Sequence, residues 1–311
     1  MDFIPKDKFY ELRPDTLQYV RKLFDLDKPG TMKESVKILN EWVQKQQHFN
    51  KKDFTDHYLE MTIILSKGSI ERAKRQLDQL CTMRTLWPEF FGAFKLRNEF
   101  DRFFAVCQTM MLPKLTEDHC RTFVTKFYKT DEDLQMYFYR HNVVLGEYLK
   151  AHDYFSGLIV VIDFVEADLL TYLKTANLVQ FKQAMAICFD GYKPSVKGIH
   201  IISQSKFIDG LVTLVKQVVS AKVAARIKIH KNHESLHDFI PKAILPKDYG
   251  GEERSLKILQ DELIDLLSSK EHLDYLEGMN AATTKESCRR KDEFSEHYAG
   301  MPGSFRYLSV D

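Results

Sequence analysis

The sequence predicts an α/β protein: a helical N-terminal extension followed by a domain built on a mainly parallel sheet. Three observations predict it. Apolar residues recur at helical spacing through about the first 95 residues. The run Gly157 to Phe164 (GLIVVIDF) is apolar on both alternating faces and rich in β-branched residues, as a strand covered on both sides should be. Strand-like and helix-like stretches then alternate, the pattern of βαβ units.

In chain order, Met32 to Gln46 sets Val36, Leu39, Trp42 and Val43 on one helical face. After a break at HFNKKDF, Tyr58 to Leu65 forms a second apolar stretch. Gly68 stops it, and Ser69 caps a third helix, IERAKRQLDQLCTMRTL, which ends before Trp87-Pro88. Gln135 to Arg140 (QMYFYR) reads as a weak strand, and Asn142 to Ala151 as a helix interrupted by Gly146. Helices are expected at Asp168 to Thr175 and Val179 to Phe189, and strands at Val196 to Ser203 and Ala225 to His230. Turns at Pro241, Pro246 and Gly250-Gly251 precede a last amphipathic helix, Ser255 to Leu267. The division expected is 1–95 as the helical extension, 96–267 as the sheet domain and 268–311 as a polar tail.

Composition narrows the function classes. The 311 residues carry 45 Lys+Arg against 44 Asp+Glu, and a net charge of +1 argues against a polyanion binder, so no nucleic-acid partner is expected. Cys81, Cys107, Cys120, Cys188 and Cys288 form no C-x-x-C pair and read as reduced thiols. The N-terminus has no apolar signal-peptide core, and Leu158 to Ile162 is too short to cross a bilayer; the cytoplasm is the expected compartment. None of the G-x-G-x-x-G, G-x-x-x-x-G-K-[ST] or G-x-S-x-G signatures occurs, so neither a cofactor nor catalysis is expected. Asp163, at a strand end, has no assignable catalytic partner. His230, His233 and His237 have spacings that invite a metal reading, but His230 ends a strand and no cysteine completes a set.

The most informative stretch is Ser205 to Ser220 (SKFIDGLVTLVKQVVS). Phe207, Ile208, Leu211, Val212, Leu214, Val215, Val218 and Val219 leave only a narrow polar edge. So wide an apolar face suits a helix buried on a sheet or the lid of a lipid cavity. Lys222 and Arg226, spaced i, i+4, could join Lys197 around a phosphate, or all three could be solvated surface charge.

The segments PSVKGIHIIS, AKVAARIKIH and LHDFIPKAILPKDYGGEE, with GLIVVIDF upstream, resemble the CRAL-TRIO lipid-transfer family. KGSIERAKRQLD and MRTLWPEFF resemble its helical N-terminal extension, and GSFRYLSVD is similar to the tails of arthropod members of the alpha-tocopherol-transfer-protein-like and clavesin-like groups. The resemblance implies a three-layer domain whose hydrophobic cavity is roofed by a mobile gate helix, here Ser205 to Ser220 running on towards Arg226. It implies cavity positions at Leu158, Ile162, Ile187 and Cys188, with Phe207, Leu211, Leu214, Val215 and Val218 from the gate. It also implies phosphoinositide-binding cations at Lys197, Lys222 and Arg226, with Ser195 standing where a fourth base is usual and Lys193 nearby. The implied partners are a tocopherol, retinoid, carotenoid, sterol or phospholipid and, transiently, a membrane surface. A lipid-sensing regulatory module and, more remotely, an α/β enzyme are the alternatives.

Overall fold

The computed structural model describes residues 7–129 and 132–289. Its N-terminal helices are α1 (Thr16–Lys22), α2 (Thr31–Lys45), α3 (Asp56–Leu65) and α4 (Ile70–Leu86), followed by the single turns α5 (Leu96–Glu99) and α6 (Asp101–Phe104). Local chemistry sets the longer ones. Thr55 Oγ1 accepts from the Tyr58 amide to start α3, and Ser69 does the same for the Arg72 amide at α4. Val36, Leu39 and Val43 of α2 are buried as their spacing requires, whereas Trp42 is only half-buried.

Two strands follow that the sequence did not reveal, β1 (Cys107–Met111) and β2 (Cys120–Phe127). Every residue of both is buried, including Arg121 and Lys126, and such polar residues mask an apolar run. Next comes α7 (Glu132–His152), which corrects the expectation of a strand at Gln135 to Arg140. Aromatic residues favour strands, but here they pack within a long helix, and tertiary packing overrides propensity. Gly146 does not interrupt α7: a Cβ there would lie 2.9 Å from the Tyr192 ring, so the glycine admits that ring against the helix.

The remaining elements are β3 (Gly157–Asp163), α8 (Leu169–Thr175), α9 (Leu178–Ala186), β4 (Val196–Ile202), α10 (Ile208–Lys216), α11 (Ala221–Ala224), β5 (Ile227–His230), α12 (Leu256–Leu267) and α13 (Lys270–Asn280). A π-helical turn, Ile187–Tyr192, ends α9. The expected gate does not run unbroken to Arg226. It stops at Lys216, and Ser220 caps the separate turn α11 by accepting from the Val223 amide. The expected polar tail is also corrected at its start: Leu276 and Met279 of α13 are buried, and Phe49 bridges Thr284 in antiparallel fashion. The tail beyond residue 289, including GSFRYLSVD, lies outside the described residues.

Strand order is β1-β2-β3-β4-β5, with β1 antiparallel to β2 and the other pairs parallel. Four parallel strands laid down in sequence order carry their connecting helices on one face when every crossover has the same hand, which is the rule for such units. That face has α7, α8, α9, α10 and α11; on β1, α12 contributes Gln260, whose Oε1 accepts from the Thr109 amide at 3.1 Å. One core runs through the described residues from Phe9 to Ala282, so the N-terminal helices and the sheet share it.

A cavity between the sheet and its crossover helices

Alternation along the strands turns one set of side chains towards the crossover helices. Phe123, Thr125 and Phe127 of β2 and Leu158, Val160 and Ile162 of β3 form a floor. The register joins it across the sheet, with Phe123 beside Val160 and Val160 beside Ile199. Lys197 is an extra residue between the pairs Leu158–Val196 and Ile159–Gly198. This bulge lets Val196 and Ile199, three apart, both face inward, while Lys197 is exposed.

Over this floor stands the α7 row Phe138, Asn142, Leu145 and Leu149, with Phe181, Met185 and Cys188 at the α9 end. Leu211 and Val215, one turn apart on α10, complete the roof. The cavity, partly open to solvent, is about 190 Å³, against the roughly 10–15 Å³ a single water needs, and its lining is overwhelmingly apolar. Burial pushes the Cys188 thiol up to about 12, so it is present as a neutral apolar group rather than a nucleophile. On the outer side of α10, Thr213, Lys216 and Gln217 are exposed, which makes it an amphipathic cover rather than a helix buried all round.

Of the residues expected to line a cavity, Leu158, Ile162, Cys188, Leu211 and Val215 do so. Ile187 instead turns to a second cluster with Leu80, Met83 and Phe181. Leu214 and Val218 are half-buried against that same cluster, and Phe207 is half-buried just before α10 with the Lys206 ammonium over its ring. The contributions of β2 and α7 were missed. The 3.6-residue spacing of Phe138, Asn142, Leu145 and Leu149 is the signal that identifies the α7 row.

The expected cations lie at the same end of the sheet. Lys197 passes over the backbone of Gly157, where a Cβ would meet Lys197 Cε at 2.7 Å. Arg226 is half-buried and donates from Nη1 to the Val196 carbonyl on the strand that bears Lys197. Lys222 is exposed on α11. Lys193 has its ammonium pKa lowered, first by burial and then by Arg75, Arg72 and Lys67, against a raising influence from Asp190.

The three histidines diverge. His230 Nε2 meets His200 Nδ1 at 2.9 Å and its Nδ1 meets Ser235 Oγ at 2.7 Å. His233 Nε2 meets Asp163 Oδ2 at 2.8 Å, and His237 Nε2 donates to the Tyr249 carbonyl at 2.7 Å. Asp163 thus gains the partner that spacing alone left unassigned. Its other oxygen accepts from the Val165 amide, so the carboxylate ties the end of β3 to the loop after β5.

Residues 106–251, from the start of β1 to the Gly250-Gly251 turn, match the CRAL/TRIO domain family. The segment is a CRAL/TRIO domain. It supplies all five strands, the α7 row and the α10 roof, while Leu65 of α3 reaches the cavity from outside it. The chain is similar to the human protein named alpha-tocopherol transfer protein-like, at 23% identity over 236 residues, covering 72% of this chain and 67% of that one. Human clavesin-2 is 29% identical over 99 residues, which is 31% of this chain and 29% of that protein. Both relatives are mammalian. A solved structure entitled Crystal structure of Sfh5 superposes with a TM-score of 0.45 at 13% identity, over 82% of this chain and 99% of that chain.

Proposed function

We propose that the protein binds a hydrophobic small molecule or lipid in the cavity of its CRAL/TRIO domain and carries it between membranes. One observation carries the reading: about 190 Å³ of apolar space lies between the sheet and the amphipathic roof. Apolar surface of this extent left in contact with water is unfavourable. A guest covers that surface and gains roughly 0.8 kcal/mol for each buried CH₂, with no covalent step. The names of the relatives support the same class of activity.

Release requires an element that opens. α10 is nine residues long, is only partly buried and ends in loops on both sides, so it is the gate. Opened, its apolar face can enter the headgroup boundary of a membrane. Lys197, Lys222 and Arg226 then face the phosphates of an anionic lipid such as a phosphoinositide, with Arg226 already oriented by the Val196 carbonyl. Tocopherols, retinoids, carotenoids, sterols and phospholipids all answer to these demands. The five free cysteines accord with work in the cytoplasm, and among the described residues no helix is long and apolar enough to cross a membrane.

The test is native mass spectrometry for a lipid that copurifies, followed by vesicle-to-vesicle transfer of that lipid. Leu211→Asp and Val215→Asp should each lower transfer at least tenfold, and unchanged transfer in both would remove the gate. Lys222→Ala with Arg226→Ala should weaken binding to phosphoinositide vesicles more than to neutral ones. Equal losses would remove the headgroup role.

A further inference from the structure

At one end of the cavity a lining amine, Lys150, is buried without a hydrogen-bonding partner beside an Arg–Glu pair. On α7, Glu147 and Lys150 lie one turn apart, and both are almost wholly buried, as is Arg84 of α4. Arg84 pairs with Glu147 through Nη2 and Oε1. Tyr192 Oη donates to the same oxygen at 2.6 Å, and Tyr275 Oη donates to Glu147 Oε2 at 3.3 Å. Glu147 is therefore fully engaged. Lys150 lines the cavity, yet its Nζ, shielded from water, has no hydrogen-bond partner and rests 4.0 Å from the centre of the Tyr58 ring.

The cluster thus holds two basic side chains and one carboxylate. A buried ammonium without a hydrogen-bonding counter-ion is costly. Here burial, reinforced by Arg84 and only partly offset by Glu147, brings the Lys150 pKa down to about 7. The site is short of one monoanionic acceptor, and the neighbouring space is apolar.

We propose that the guest is an apolar chain ending in a carboxylate, whose oxygens take the free donors of Lys150. A carboxylate brings one negative charge and matches the surplus, whereas a phosphate monoester brings more charge than the cluster can neutralise. This inference rests on the carrier reading and narrows it from any lipid to an acidic one.

The experiment titrates delipidated full-length protein with hexadecanoate and with hexadecan-1-ol, probes of equal chain length that differ in the end group, and records the mass of any lipid that copurifies. The expected result is hexadecanoate binding at least tenfold tighter than the alcohol, with Lys150→Met bringing the two level. Lys150→Met keeps the side-chain length and removes the unpartnered buried amine, and its thermal melt verifies that it folds. Equal binding of both probes by the wild type, or a preference that survives in Lys150→Met, overturns the proposal alone. So does a copurified lipid with no acidic group. Failure of both probes to bind, with no lipid copurifying, overturns the carrier reading and this proposal together.

Discussion

Arg121 shows what a single side chain contributes to this sheet. It is 0% exposed near the start of β2, where its Nε and Nη2 grip both oxygens of the equally buried Asp153 at 2.9 and 2.6 Å. It also donates to the carbonyls of Leu112 and Pro113 and lies 4.6 Å from the centre of the Tyr10 ring. The pair fastens the residue after α7 to the floor strand. Arg121→Ala leaves a buried carboxylate without its counter-ion and should cost about 3–5 kcal/mol in equilibrium urea unfolding. Replacing both partners, Arg121→Met with Asp153→Leu, should cost less than the single change, because no charge is then stranded. The same residue explains a failure of sequence reading. Arg121, Thr122, Thr125 and Lys126 interrupt any apolar run in β2, although every position in it is buried.

Among elements, the most legible were those whose face alternates between protein and water or whose run is uniformly apolar. β3 and β4 followed from their β-branched composition, α12 from its apolar stripe, and α4 from Ser69 and the Trp87-Pro88 stop. The α7 aromatics read as strand-forming because their partners, such as Phe103 against Phe138, lie far away in sequence. The segment after α13 was illegible for another reason: polar residues close the fold there through ion pairs. Arg289 Nη1 meets the Asp78 carboxylate at 2.6 Å, and its Nη2 donates to Thr82 Oγ1 at 2.7 Å. Burial alone would raise the Asp78 carboxyl pKa, but hydrogen bonds from His48 and Arg289 hold it below the usual value. Arg289→Ala should therefore cost about 2–3 kcal/mol, measured as a loss of urea stability, with earlier proteolytic release of the C-terminus.

The whole molecule carries a pH dependence set by buried histidines. Burial lowers His141 to about 3 and His200 and His272 to about 4; His230 and Lys228 push His200 further down, and His152 does the same to His272. In the unfolded chain each has a pKa near 6.5. Between those values the unfolded state binds more protons, so stability is full above about pH 6.5 and is lost as pH falls towards 4. Each histidine contributes at most about 1.4 kcal/mol per pH unit within that window. Urea midpoints measured at pH 7, 6 and 5 should fall steadily, and a flat series would contradict the burial of these rings. Because one core joins the N-terminal helices to the sheet, the loss should appear as a single transition rather than two.

The hollow between sheet and crossover helices also makes the folded molecule bulkier than its packing requires. Compression favours whichever state occupies less volume, and unfolding eliminates voids. An unloaded molecule with about 190 Å³ to surrender should therefore be soft under hydrostatic pressure, and its cargo doubles as a mechanical prop.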